Sequence, residues 1–220
     1  MYLVKTPKWL QILMPAYLWR LSEPGKNLYL TFDDGPIPEV TPWVLDQLRK
    51  YQARATFFCV GENVKRHQSV YRRVLAEGHS VGNHTYNHLN GWHTPPPDYL
   101  NNIRRCARLV DSPLFRPPYG RLRPRQRAAL EAHFQLVMWD VLSGDFDPNI
   151  SPVQCLDNVV QAAEPGSIIV FHDSLKSYAT LRAVLPETLR IFSEKGYRFE
   201  ALPMQRRHAV TKPRIALRAV

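Results

Sequence analysis

The sequence predicts an α/β fold on a parallel sheet, wound open or closed as a barrel, and three observations carry that expectation. Strand-like apolar runs alternate with segments of helical periodicity along most of the chain. The residues able to do chemistry fall just after strands, where such folds gather their active sites. The length of 220 residues, with 45% hydrophobic content, no fixed repeat and no linker, suits one domain with a sizeable core.

Leu28-Tyr29-Leu30-Thr31-Phe32 alternates and runs into Asp33-Asp34-Gly35-Pro36, a strand delivering two acids to a sharp turn. Residues 41–51 set Val44, Leu45 and Leu48 at helical spacing, with Thr41 able to cap and Pro42 suited to the first turn. Residues 55–60 read as a buried strand, 64–77 as a helix closed by Gly78, and 79–82 as a short strand. A helix from 97 or 98 to 110 aligns Leu100, Ile103, Ala107 and Val110; Leu114-Phe115-Arg116 is a strand before Pro117-Pro118-Tyr119-Gly120, and 124–132 is helical. Further strands are expected at 135–141, 167–171 and 197–201, spaced by helices near 152–163 and 180–195. The chain then divides into an N-terminal segment, 1–27, a domain at 28–201 and a basic tail at 202–220.

Lys and Arg total 29 against 19 Asp and Glu, a net charge of +10 that favours polyanionic partners: nucleic acid, an acidic membrane surface or an acidic wall polymer. Nucleic acid is not expected, because charge alone supports it and no RNA- or DNA-binding motif is present. The three cysteines, Cys59, Cys106 and Cys155, are far apart and lack a C-x-x-C pair, which argues against a disulfide framework or a thiolate metal site. Residues 9–19 resemble the apolar region of a signal peptide, but Gln11 and Pro15 interrupt it and no small-x-small cleavage pattern follows. The segment is read as an amphipathic cap on the domain or a surface anchor, and a cytoplasmic or membrane-peripheral location is favoured over secretion.

Five polar clusters follow strands: Asp33-Asp34, His84-Thr85-Tyr86-Asn87-His88, Arg116-Pro117-Pro118-Tyr119-Gly120, Asp145, and His172-Asp173. His84 and His88 are four residues apart, so on a helical turn both imidazoles project from one face and can grip one ion. A carboxylate from the Asp-Asp pair completes a facial two-His, one-carboxylate set with open positions for water and substrate.

Taken in order, Thr31-Phe32-Asp33-Asp34-Gly35-Pro36, His84-Thr85-Tyr86-Asn87-His88, Arg116-Pro117-Pro118-Tyr119-Gly120 and Val170-Phe171-His172-Asp173 resemble the motifs of the polysaccharide deacetylases of the NodB-homology type, carbohydrate esterase family 4. The resemblance spans about residues 28–200. It implies a distorted (β/α)7 barrel and metal-dependent removal of acetyl groups from an N-acetylated glycan, such as peptidoglycan or a chitin-like oligomer. It makes Asp34, His84 and His88 the metal ligands, Asp33 the catalytic base, Arg116 the residue that holds that base, the Tyr119 amide an oxyanion donor and His172 the general acid. The cofactor would be a divalent metal, zinc first, with cobalt, nickel, manganese or iron as alternatives.

The chain departs from the family at its fourth motif, usually Asp-x-x-Asp-Trp, here Leu142-Ser143-Gly144-Asp145-Phe146. Asp145 keeps the acid that orients the catalytic histidine or the motif arginine, with Asp140 and Asp147 as alternatives should the register differ. Leu142 loses the first acid, and Phe146 replaces the tryptophan and can still wall a pocket. Val170 stands where Leu often borders the acetyl methyl, a missing methylene worth about 1 kcal/mol. His79 and His93 read as surface or structural histidines. The second function class to weigh is a non-catalytic glycan- or polyanion-binding module on the same fold; a non-haem iron oxygenase ranks below it, since it leaves Asp33, Arg116 and His172 without work.

Overall fold

Strands and helices alternate throughout residues 2–204, which the computed structural model describes. The central strand is β2 (Asn27–Asp33), flanked in parallel by β3 (Thr56–Cys59) and β8 (Ile168–His172). Beyond β3 the sheet continues through β4 (Ser80–Asn83), β5 (Leu114–Phe115) and β6 (Gln135–Val137); beyond β8 it ends at β7 (Val141–Leu142). These seven strands, ordered β6-β5-β4-β3-β2-β8-β7 and parallel throughout, curl into an incompletely closed barrel. Two short strands are added, β1 (Tyr17–Leu18) on β6 and β9 (Arg198–Phe199) beside the start of β2.

The period-2 pattern of β2 sorts its side chains between two faces. Leu28, Leu30 and Phe32 pack outward with Val44, Leu45 and Leu48 of α2 (Thr41–Lys50) and with Leu181 and Leu185 of α8 (Tyr178–Glu194). Phe32 stacks between Phe57 and Phe171 at centroid distances of 5.1 and 6.0 Å. Tyr29, Thr31 and Asp33 take the other face, which leaves the last residue of β2 level with His172 of β8. Burial of such apolar surface is the main stabilising contribution to folding.

Local departures from the expected elements have physical causes. The helix expected over 64–77 is two, α3 (Gly61–Arg66) and α4 (Gln68–Ala76), because His67 leaves helical geometry at φ −125°, ψ 49°. On α5 (Pro96–Ala107) the buried face is Tyr99, Ile103 and Cys106, while Ala107 is exposed, a rotation of about one residue from the expected stripe. The single strand expected over 135–141 breaks at Met138-Trp139-Asp140, where the backbone bonds to different partners: Met138 N–H to Leu18 O at 2.8 Å, and Asp140 N–H to Ile168 O at 3.0 Å. The remaining helices are α6 (Pro124–Glu131) and α7 (Pro152–Ala162), the latter with a Ser151/Gln154 capping box.

The split between β6 and β7 is filled by the N-terminal segment, which is woven into the sheet. Val4, Lys5 and Thr6 run antiparallel along β7, with Lys5 opposite Val141, and after α1 (Lys8–Leu13) the chain returns as β1 on β6. Buried Asp140 ties the strap down by accepting from Lys5 Nζ at 2.8 Å, Gln11 Nε2 at 3.0 Å and Ser167 Oγ at 2.5 Å. Helix α1 turns Trp9, Ile12 and Leu13 to solvent, 62%, 77% and 70% exposed. No helix among the described residues is long and apolar enough to cross a membrane. Leu202 is buried with its N–H on Thr56 Oγ1, and the basic tail expected at 202–220 lies outside the described residues from 205 onward.

Candidate active site

The C-terminal ends of β2, β4, β5, β7 and β8 converge on a cleft of about 450 Å³ that holds Asp33, Asp34, His84, His88, Tyr119 and His172. Asp33 keeps the inward direction that strand alternation gives it and meets Arg116, the residue after β5. Arg116 is fully buried: Nη1 donates to Asp33 Oδ1 at 2.7 Å and to Thr31 Oγ1 at 2.7 Å, Nη2 donates to Met138 O at 2.9 Å, and the guanidinium lies 4.1 Å from the centre of the Phe58 ring. Burial pulls the Arg116 pKa down and Asp33 opposes that. Arg116 also rests on neutral acceptors, so its fixation does not require an acid at position 142.

Asp34 turns away from Asp33 because its backbone sits at φ 85°, the left-handed region that non-glycine residues rarely occupy. Its Oδ1 is buried without a hydrogen-bond partner, 3.2 Å from His88 Nε2 and 3.8 Å from His84 Nε2. Burial pushes the Asp34 carboxyl up, and the His88, His172 and His84 imidazoles more than reverse this, holding it well below the usual range. The imidazoles do not come from one helical face. Residues 84–88 form a turn with Thr85 at φ 65° and His88 at φ 59°, and that turn, not a helix, brings the two rings to a centroid distance of 5.1 Å.

Three donor atoms, one each from Asp34, His84 and His88, lie within 4.8 Å of one another. The fit to a cation rests on the orphaned Asp34 Oδ1 and on the His84 tautomer. His84 Nδ1 faces Arg116 O at 2.8 Å, which places the proton there and leaves Nε2 a lone pair toward Asp34. Burial lowers the His84 pKa to about 4, so this ring is neutral, as a ligand must be.

His172 ends β8 and is held by Asp145: Nδ1 is 2.8 Å from Asp145 Oδ1, and the His172 backbone N–H donates to Oδ2 at 2.7 Å. Asp173, the sequence neighbour of His172, instead accepts from Gly35 N–H at 3.0 Å and Thr41 Oγ1 at 2.5 Å. Asp140 and Asp147 are elsewhere, the first bonded to the N-terminal strap and the second to Asn149. Phe146 meets His172 edge-on at 5.1 Å and Tyr2 at 5.2 Å, and Val170 and Leu142 line the same cleft. Tyr119 also has a left-handed backbone, φ 60°; the turn's hydrogen bonds run from Gly120 to Pro117 and from Arg121 to Pro118, which leaves the Tyr119 amide outside them.

Sequence reasoning missed Tyr2, Trp139, Arg121 and Lys176, all of which line the cleft. Tyr2 and Trp139 arrive through the N-terminal strap and the broken strand, for which the sequence pattern carried no signal. Arg121 directly follows a quoted motif and could have been found. His79 is structural: its Nδ1 accepts the Ala55 N–H at 3.2 Å, and burial lowers its pKa to about 4. The three cysteines are free and buried.

The model of a known family, described as polysaccharide deacetylase, matches residues 20–136. The chain is 36% identical over 190 residues to a peptidoglycan-N-acetylglucosamine deacetylase of Bacillus cereus, covering 82% of this chain and 88% of that one. It is 29% identical over 208 residues to a chitooligosaccharide deacetylase of Azorhizobium caulinodans, covering 84% and 96%. Among solved structures, the Bc1960 peptidoglycan N-acetylglucosamine deacetylase superposes with a TM-score of 0.82 at 31% identity, over 93% of this chain and 99% of that chain. The chain therefore belongs to the polysaccharide deacetylase family, the NodB-homology enzymes of carbohydrate esterase family 4.

Proposed function

We propose that the protein hydrolyses the acetamide of an N-acetylglucosamine-containing glycan, such as peptidoglycan or a chitin-like oligomer. One observation carries this reading: two separate proton-handling pairs, Arg116–Asp33 and Asp145–His172, reach the cleft that also holds the Asp34, His84 and His88 donors. A divalent cation held by those three residues would supply Lewis acidity, lowering the pKa of a water and polarising the acetyl carbonyl. The donor set suits zinc first, with cobalt, nickel, manganese or iron as alternatives.

Asp33 takes the proton of the attacking water, and Arg116 fixes the carboxylate through its Oδ1. The Tyr119 N–H donates to the acetyl oxygen as negative charge builds on it. His172 delivers a proton to the nitrogen of the departing amine, with Asp145 orienting the ring. Val170, Leu142 and Phe146 wall the space for the acetyl methyl.

Acetate release from N-acetylglucosamine oligomers, peptidoglycan and acetylxylan tests the proposal. Release from the N-acetylated glycans, lost on chelation and in Asp33→Asn, is expected; no acetate from any of them with metal bound would sink it. A non-catalytic binding module would instead hold the polymer equally well in Asp33→Asn and in His172→Ala and release nothing.

Peripheral contact with an anionic surface is proposed on a separate observation. Trp9, Ile12 and Leu13 project from a pinned helix beside exposed Lys8, on a chain of net charge +10. Co-sedimentation with vesicles rich in phosphatidylserine, reduced in Trp9→Ser/Ile12→Ser, is the expected result. Equal sedimentation of the two chains would refute it.

A further inference from the structure

We propose that the cleft rim beside Tyr119 is a second sugar subsite that reads an oxyanion substituent, a carboxylate or a phosphate ester, on the sugar next to the one that loses its acetyl group. This rests on the glycan-deacetylase reading above.

The anchor is Arg121. It lines the cleft together with His88 and Tyr119, and it has no carboxylate partner among the described residues. It is held by an aromatic face instead, 4.7 Å above the centre of the Trp92 ring. A guanidinium fixed by stacking keeps its planar fork of N–H donors free, the geometry that meets a carboxylate or phosphate two bonds at a time.

Trp92 is 52% exposed, yet its loop is pinned from several sides. Its N–H donates to Asn90 Oδ1 at 2.9 Å, and its carbonyl accepts from Arg123 Nε at 3.0 Å. Fully buried Gln126 donates to Gly91 O at 2.9 Å and to Thr94 O at 3.1 Å, clamping the loop from both sides of Trp92. The loop lies so close to the following segment that a Cβ at Gly91 would stand 2.3 Å from Arg121 O. Trp92 is therefore a preorganised positioning residue for Arg121, whose ordering entropy is spent before any ligand arrives. On the other side of the cleft Lys176 lies 6.0 Å from the centre of the Phe146 ring and adds positive potential. A neutral polymer leaves Arg121 without a use; an acidic one gives it a partner.

The test is acetate release by the full-length, metal-loaded enzyme from N-acetylglucosamine oligomers of equal length: one neutral, one carrying a carboxylate ether on a neighbouring sugar and one carrying a phosphate ester there. Wild type is expected to favour at least one acidic oligomer by about tenfold in kcat/KM, expressed in KM and weakening as salt rises. The preferred arm identifies the oxyanion. Arg121→Gln and Trp92→Leu should each remove most of that preference, and Arg121→Lys should restore part of it after Arg121→Gln. Equal kcat/KM for neutral and acidic oligomers, or an equal loss on all three in Arg121→Gln, would overturn the proposal. Should no oligomer be turned over, the deacetylase reading fails by itself, and calorimetric affinity of the Asp33→Asn chain decides the subsite: a preference for acidic oligomers that Arg121→Gln abolishes supports it, and equal affinities overturn it.

Discussion

Asp145 grips His172 twice, through Oδ1 at 2.8 Å from the ring Nδ1 and through Oδ2 at 2.7 Å from the backbone nitrogen. Ring position and ring charge are thus set by one carboxylate. Burial alone would push the His172 pKa down; Asp145, followed by Asp34 and Asp33 at longer range, reverses this and raises it to about 9. The stability this pair contributes is fully present below the unfolded-state value near ~6.5 and is lost as pH rises through about 9. The proton needed by the leaving amine follows the same curve, so kcat/KM should fall on the basic side. A bound divalent ion, adding positive charge, brings that limb closer to neutrality. Asp145→Asn should move the limb down by roughly one to three pH units, read from pH–rate profiles of the two enzymes at matched metal loading.

The two adjacent acids should separate cleanly. Asp34→Ala is expected to lose metal and activity together, because it removes one of three donors and the only orphaned buried oxygen among them. Asp33→Asn should retain the metal and lose about 10²- to 10⁴-fold in kcat. Elemental analysis after gel filtration, paired with acetate release on the same samples, distinguishes the two.

Arg116 and Asp33 form a buried ion pair, with side-chain exposures of 0% and 6%. Arg116→Met strands the carboxylate and should cost about 3–5 kcal/mol in urea unfolding. Asp33→Asn still offers an oxygen to Arg116 Nη1 and should cost less, about 1–3 kcal/mol. A reversed order of the two losses would mean that the buried guanidinium depends on the Asp33 charge and that Thr31 Oγ1 and Met138 O do not satisfy it without that carboxylate.

Gly35 admits no side chain. An added Cβ would stand 2.0 Å from Asp173 Oδ2, and that carboxylate is fixed by Thr41 Oγ1. Gly35→Ala should therefore displace Asp173 and the Asp34 turn beside it, with a loss of about 3 kcal/mol or more and of metal affinity. Thermal melting with and without added zinc measures both effects.

Much of the site was legible because β2 and β8 end in, and β4 and β5 are directly followed by, residue types that packing alone would not select. Asp33, Asp34, His84, His88, Arg116 and His172 were all placed at strand ends by periodicity; the cleft gathers five of them, and Arg116 is buried behind Asp33. The directions were not legible. Three of the five left-handed non-glycine residues among the described residues, Asp34, His88 and Tyr119, line the cleft, and a fourth, Thr85, lies in the turn between His84 and His88, so side-chain aim there is set by backbone strain that a pattern-based reading cannot see. Asp173 adjoins His172 in sequence, but neighbours on a strand point to opposite faces, and of the two roles the family resemblance left open for Asp145, histidine or arginine partner, the structure shows the histidine. The N-terminal strap was obscured for a different reason: its pairing with Val141 and Leu18's with Met138 are contacts across more than a hundred residues.

Those contacts have a consequence for the newborn chain. Lys5 leaves the ribosome ahead of its partners, and Asp140 and Ala162 follow it by 135 and 157 residues. At roughly 5–20 residues per second, the strap waits on the order of ten seconds for its seat. Until then the edges of β6 and β7 stand open to pairing with other chains, and the high contact order of the closing step slows the escape. Chaperone demand in this protein should therefore fall once Ala162 has emerged and the strap around Lys5 can complete the sheet.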